Sequence, residues 1–224
     1  MIPLYDTVRS HKIPVITLTL ISVNVLAFLY EAQMDASNLQ RFIYTWGLIP
    51  GRFTSHPSSG WLFILTSMFL HGGWLHILSN MWILFIFGDN VEESMGGLRY
   101  LIFYLLAGAA AALLQTYIHP ASLTPVIGAS GAIAGVLGAY LILFPRARVA
   151  SLVFLFILFT VVEIPASILL LGWIGLQVLS GWFAMQGGGS GGIAWWAHVG
   201  GFIFGVLMVS FFAIKRRAVY GDWQ

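Results

Sequence analysis

Three short stretches hold the side chains that could do chemistry. "VIGASGAIAG" places one hydroxyl, Ser130, among glycines and alanines. "WWAHVGGFIFG" places one imidazole, His198, at the start of an apolar run, and "LHGGWLHILSN" supplies His71, His76 and Asn80. A serine whose proton is taken by a histidine is a nucleophile for acyl transfer. An asparagine amide or a second imidazole can meet the oxyanion that such an attack creates. Each residue also has a plainer reading. Ser130 with Gly131 and Gly135 can be a small-residue packing face between membrane helices. His198 can be a buried neutral histidine. His76 and Asn80, four residues apart and so on one helix face, can be an interhelical polar clasp. Topology separates these readings.

Of the 224 residues, 59% are hydrophobic and 8% are charged, and mean hydropathy is +0.89. A soluble domain carries about a quarter charged residues, so the solvent of this chain is the lipid bilayer. A net charge of +2 gives no basis for nucleic-acid binding. The chain has no cysteine, which excludes disulfides, thiolate nucleophiles and soft metal sites. The first apolar run follows a polar, mildly basic segment and has no small-residue cleavage site, which predicts a retained first helix.

A span needs about 20 apolar residues. The apolar runs predict six spans, near 13–30, 74–87, 100–118, 130–144, 165–182 and 194–214. The expected fold class is therefore an all-α polytopic membrane protein. It is one domain over residues 1–224, a six-helix bundle with an inserted first loop and a short fourth helix at its centre. "GWLFILTSMFLHGG", within the inserted loop, is too short to span and reads as interfacial or packed on the bundle. "GDNVEESMGG" reads as a charged turn. The apolar run before Pro165 reads as an interfacial segment, and "MQGGGSGG" as a flexible loop. Arg9, Lys12, Arg99, Arg146, Arg148, Lys215, Arg216 and Arg217 fall on one side and only Arg41 and Arg52 on the other. That bias predicts cytoplasmic termini.

The second, fourth and sixth spans then all begin at the outer face, which brings the three polar stretches together. A helix from Ser130 to before Pro145 covers roughly 22 Å at 1.5 Å per residue, less than the roughly 30 Å hydrocarbon core. Ser130 should thus lie below the outer surface at a helix N-terminus, whose free N–H groups favour a developing negative charge. Gly128 allows the chain to turn just before it. His198 lies about one turn inside the sixth span, at matching depth. Gly201 and Gly205 would let that helix press on the glycine-rich fourth. Asp89, Glu92, Glu93 and Glu163 fall on the cytoplasmic side, and Asp6 and Asp222 in the tails. Glu31 and Asp35 are outside, but at the exposed start of a loop. No acid completes a triad, so the expectation is a Ser–His dyad with the imidazole held by packing. A metal site built from His71, His76 and His198 lacks a carboxylate on the right side and has no "HExxH". A solute channel would need polar groups running through the bundle, whereas these gather at one face.

The pattern is highly specific when taken together. "GASG" opening a membrane helix, "HxxxN" two helices earlier and "AHxxG" two helices later resembles the rhomboid family of intramembrane serine proteases, over roughly Trp61 to Gly205. The resemblance implies a nucleophile at Ser130 and a general base at His198. It implies oxyanion donors at His76, Asn80 and the Ser130 backbone N–H, with Gly128 and Ala129 bordering that site and His71 bracing it. No cofactor is implied. The implied partners are the lipid bilayer and single-span membrane proteins, cut near their outer boundary after lateral entry past the fifth span, with "MQGGGSGG" as a lid. The implied location is a prokaryotic inner membrane. Rhomboid-like pseudoenzymes, which bind membrane helices without cutting them, lack the nucleophile or the base; this chain has both. Oligomeric state is left open. Some rhomboids carry an aromatic residue one turn after the nucleophile that packs on the histidine. Here that position is Ala134, which makes Trp195 or Trp196 the candidate to orient His198. Some also carry a Trp-Arg pair in the first loop, where this chain has Leu62-Phe63.

Overall fold

A computed structural model describes residues 1–155, 158–187 and 192–214. In chain order the described elements are β1 (Ile2–Asp6), α1 (Val15–Glu31), α2 (Ala36–Trp46), α3 (Pro50–Ser55), α4 (Pro57–Ser67), α5 (Trp74–Met95) and α6 (Gly97–Ile118). They continue with α7 (Ser130–Leu143), β2 (Arg148–Leu155), β3 (Leu158–Pro165), α8 (Ala166–Met185) and α9 (Trp195–Phe212). The protein is mostly helical. Among the described residues three helices, α6, α8 and α9, are long and apolar enough to cross a membrane, and α1 and α7 are shorter apolar helices.

Helix α7 lies at the centre. Every residue from Gly131 to Tyr140 is buried, so α7 is walled in by protein on all sides. Its small residues allow this. A Cβ on Gly135 would fall 2.4 Å from Ala107 Cβ on α6, and one on Gly138 would fall 2.3 Å from the Phe202 carbonyl oxygen on α9. Helices approach to backbone contact here because nothing but hydrogen occupies the space between them. The large side chains Phe87, Tyr100, Phe103, Tyr104 and Tyr140 fill the rest of the core.

The all-α expectation needs correction. The polar N-terminal segment and the apolar run before Pro165 are extended and form one antiparallel sheet, ordered β1-β2-β3. The run expected to be an interfacial segment forms two strands, β2 and β3, paired antiparallel with Arg148 opposite Pro165 and Val149 opposite Ile164. The run is rich in Val, Ile, Thr and Phe, which favour the pleated conformation. Asp6, expected in a free tail, ends β1, where Asn90 Nδ2 donates to its carboxylate at 3.0 Å and the Tyr140 hydroxyl also donates.

"GDNVEESM" is likewise not a turn. Helix α5 continues through it to Met95, and the chain turns only at Gly96, whose φ is +79°. Its acids are used there. Glu92 accepts the backbone N–H groups of Ile16 and Thr17 at 2.9 and 2.8 Å and the Thr17 hydroxyl at 2.8 Å. It thereby caps α1, whose first N–H groups have no partner within the helix.

The inserted loop is largely helical (α2, α3 and α4), and α4 packs against α3 and α6. It grips the segment that leads into α7. Leu48 and Val126 exchange both backbone hydrogen bonds, Leu48 N–H to Val126 O at 3.2 Å and Val126 N–H to Leu48 O at 2.7 Å. The Ser67 carbonyl accepts the Gly128 N–H at 2.8 Å, and the Thr54 hydroxyl donates to the Pro120 carbonyl at 2.9 Å.

Candidate active site

The non-helical segment before Ser130 is thus strapped at several points, and α7 begins at Ser130 itself. Gly128 has a φ of +116°, a conformation that L side chains rarely adopt. A Cβ there would also sit 2.7 Å from His76 Nε2. Ala129 is fully buried, whereas Ser130 keeps part of its surface open. As the first helical residue, Ser130 carries a backbone N–H with no intrahelical acceptor.

His198 Nε2 lies 2.8 Å from Ser130 Oγ. The approach is made by glycines, since Gly201 and Gly205 on α9 face the carbonyls of Gly131 and Gly135 on α7. The start of α9 is fixed by a residue the sequence reading passed over. Gln115 on α6 accepts the Ala197 N–H through Oε1 at 3.2 Å. A second glutamine was missed as well: Gln177 Oε1 on α8 lies 2.7 Å from His198 Nδ1. The imidazole is therefore held by an amide as well as by packing. Trp173, one turn before Gln177, lies over the ring at 5.8 Å between centroids with an interplanar angle of 35°. Trp195, one of the two tryptophans expected near the ring, meets it edge-on at 6.4 Å. Trp196 sits by Gly181 on α8.

His76 and Asn80 both point at Gly128. The hypothetical Cβ that would meet His76 Nε2 also lies 3.7 Å from Asn80 Nδ2. His76 Nδ1 accepts the Gly72 N–H at 3.2 Å, so in the neutral ring the proton is on Nε2, the atom that faces Gly128. Asn80 is 7% exposed, and its Nδ2 is buried with no hydrogen-bond partner. A buried unpaired donor calls for an explanation. Two donors thus gather at Gly128, two residues before the helix N-terminus at Ser130, an arrangement able to bind an oxyanion.

His71 is fully buried behind His76, with ring centroids 5.0 Å apart and edge to face. Burial first, and the neighbouring His76 second, pull its imidazole down to about 4. Glu31 is corrected: it is not exposed but 1% accessible, and it accepts the His71 backbone N–H at 3.1 Å. Asp35 is exposed and caps α2 through the N–H groups of Ser37 and Asn38, which hold its carboxyl below its usual value. Among the described residues no three His, Asp or Glu side chains gather as a metal cage. Residues 188–191 of the glycine loop expected to act as a lid lie outside the described residues, as do Lys215, Arg216, Arg217 and Asp222.

Residues 58–215 match the Rhomboid domain. The chain is 33% identical over 118 residues to "RHOMBOID-like protein 6, mitochondrial" of Arabidopsis thaliana, covering 50% of this chain and 36% of that protein. It is 28% identical over 196 residues to "Presenilin-associated rhomboid-like protein, mitochondrial" of Homo sapiens, covering 86% of this chain and 47% of that protein. It is 27% identical over 139 residues to "RHOMBOID-like protein 9, chloroplastic" of Arabidopsis thaliana, covering 61% and 30%. The chain spans less than half the length of these curated relatives. A domain match over most of the chain, on a bundle apolar enough to cross a membrane, makes this chain an integral membrane protein of the rhomboid family.

Proposed function

We propose that this protein is an intramembrane serine endopeptidase that cuts single-span membrane proteins near their outer boundary. One observation carries the reading: His198 Nε2 lies 2.8 Å from Ser130 Oγ, with the unpaired Asn80 donor beside Gly128, two residues before the serine. The non-catalytic alternative has no use for an orphaned donor at that point.

In this reading the whole chain is one rhomboid domain with six spans: α1, α5, α6, α7, α8 and α9. Helix α7 has 14 residues, about 21 Å at 1.5 Å each, so Ser130 sits below the headgroups. Ser130 Oγ attacks the substrate carbonyl while its proton passes to His198 Nε2. The tetrahedral oxyanion is met by Asn80 Nδ2, His76 Nε2–H and the Ser130 N–H. Collapse expels the amine, which takes the proton from His198. Water then attacks the acyl-enzyme with His198 again accepting a proton, and Ser130 is freed. No step calls for a cofactor. Gly128 keeps the substrate backbone close to the donors, and His71 holds His76 in place. The substrate helix must unwind locally to present its peptide bond, and it enters past α8, which is less buried than α6 or α9.

The test is cleavage in proteoliposomes of a panel of single-span substrates by the protein and by its Ser130→Ala and His198→Ala variants. Both variants should lose cleavage and serine labelling by a fluorophosphonate. Cleavage by Ser130→Ala at the wild-type rate would remove the serine mechanism.

A further inference from the structure

The side chain that meets His198 Nδ1 stands on α8, the least buried of the three helices long and apolar enough to cross a membrane. Only 17% of the most apolar stretch of α8 is buried, against 44% for α6 and 39% for α9. A Cβ at Gly172 or Gly175 would meet nothing within 4 Å. The helix leans chiefly on α9. There, Gly181 admits Trp195 and Trp196, whose atoms come within 3.2 and 3.1 Å of a hypothetical Cβ. Trp173 and Gln177, four residues apart and so on one face, both reach His198.

The chemistry of the contact is specific. An amide oxygen only accepts hydrogen bonds, so Gln177 Oε1 at 2.7 Å requires the proton on His198 Nδ1. The Nε2 lone pair is then free to take the Ser130 proton. The opposite tautomer would put a proton on Nε2, where it could not act as a base. An aspartate would fix the same tautomer, but a carboxylate inside a membrane bundle is costly to keep charged. Gln177 is 7% exposed; an amide gives direction there without charge.

We infer that Gln177 is a positioning residue that sets the tautomer of His198, and that it ties the base to the position of α8. This rests on the reading of Ser130 and His198 as nucleophile and base. When α8 is seated on α9 the base is poised. When α8 swings out to admit a substrate helix, the 2.7 Å contact lengthens and the ring is released. Reaction then waits for α8 to return, which keeps the serine quiet while the site is open to lipid and water.

Two variants test this in the full-length protein in proteoliposomes. Gln177→Leu keeps the bulk and removes the acceptor; Gln177→Glu restores an acceptor of the same length. The readouts are kcat and KM for a single-span substrate, the pH profile of fluorophosphonate labelling of Ser130, and the tautomer of His198 from nitrogen-15 spectra of histidine-labelled protein. Gln177→Leu should lower kcat and labelling about ten- to a hundredfold, as loss of orientation does, with KM within about twofold. Its His198 spectrum should lose the single Nδ1–H tautomer. Gln177→Glu should recover most of the rate and move the acidic limb of the profile to higher pH, because a carboxylate favours the imidazolium. Labelling of Gln177→Leu at or above the wild-type rate across pH would overturn the inference while leaving the dyad intact. No labelling of the wild type beyond that of Ser130→Ala would end the dyad reading, and this inference with it.

Discussion

The carbonyl oxygen of Gly131 occupies the space that a side chain on residue 201 would need: a Cβ built on Gly201 falls 1.9 Å from it. Gly205 stands in the same relation to the Gly135 carbonyl, at 2.0 Å. Two helix backbones touch, and the serine immediately before Gly131 meets the histidine about one turn before Gly201. Gly201→Ala cannot be absorbed by a rotamer change, since the obstacle is main chain. It should force α9 off α7, at a cost of about 1–3 kcal/mol or more, and abolish cleavage by separating His198 from Ser130. Gly172→Ala and Gly175→Ala are the controls. Each faces open space, and each should leave cleavage intact while stabilising α8 by roughly 0.5–1 kcal/mol. Thermal melting in detergent with parallel cleavage assays would check all three.

Gly128 is constrained twice, by its φ of +116° and by the His76 ring 2.7 Å from a hypothetical Cβ. Gly128→Ala should therefore displace the donors without touching Ser130 or His198. Cleavage should fall by about a hundredfold or more. The Ser67 carbonyl, which accepts the Gly128 N–H at 2.8 Å, should lose that bond, so hydrogen exchange at residue 128 should quicken. Unchanged cleavage would show that the oxyanion site lies elsewhere.

Asn80 separates function from stability. Its Nδ2 is buried and unpaired in the resting protein, and such a group costs about 1–3 kcal/mol. Asn80→Ala should therefore leave the melting temperature unchanged or raise it, while kcat falls by about a hundredfold and KM moves little. A polar clasp would behave in the opposite way, with stability falling and no separate effect on kcat.

How much of this was legible in the sequence follows from what kind of signal each residue leaves. Ser130 and His198 were legible because "GASG" and "AHVGG" each open an apolar run, and topology puts both openings at one end. The glycine face that joins them was legible from its four-residue spacing. Gln177 left no such trace. It lies 21 positions before His198 across a loop, and a lone glutamine in an apolar helix has no spacing relation to what it will touch. Gln115 is the same case at 82 positions. Glu31 was misjudged because a charge at the end of a helix is normally solvated; here the His71 N–H donates to it. The β2–β3 hairpin was missed because its run is apolar almost throughout and lacks the two-residue alternation that marks a half-buried strand. Its β-branched residues Val149, Val153, Thr160, Val161, Val162 and Ile164 were the available signal.

Asp6 gives a prediction at the opposite end of α7. It lies on β1, outside the spans, and burial raises its carboxyl from 3.8 to about 6, with the charge of Asp89 adding to the rise and the Tyr140 hydrogen bond opposing it. Between those two values the folded protein holds a proton that the unfolded chain has lost. Its contribution is therefore fully present below about pH 4 and disappears as pH rises through about 6. Asp6→Asn keeps an oxygen for the Tyr140 hydroxyl and cannot ionise. It should be at least as stable as the wild type at pH 7, and its melting temperature should be flatter between pH 4 and pH 6. Because this group sits at the far end of the helix from Ser130, cleavage per folded molecule at pH 7 should not change. A wild type whose melting temperature climbs steadily over that interval, with the variant following it, would show that the Asp6 carboxylate is already ionised at low pH and that β1 is held by its charge.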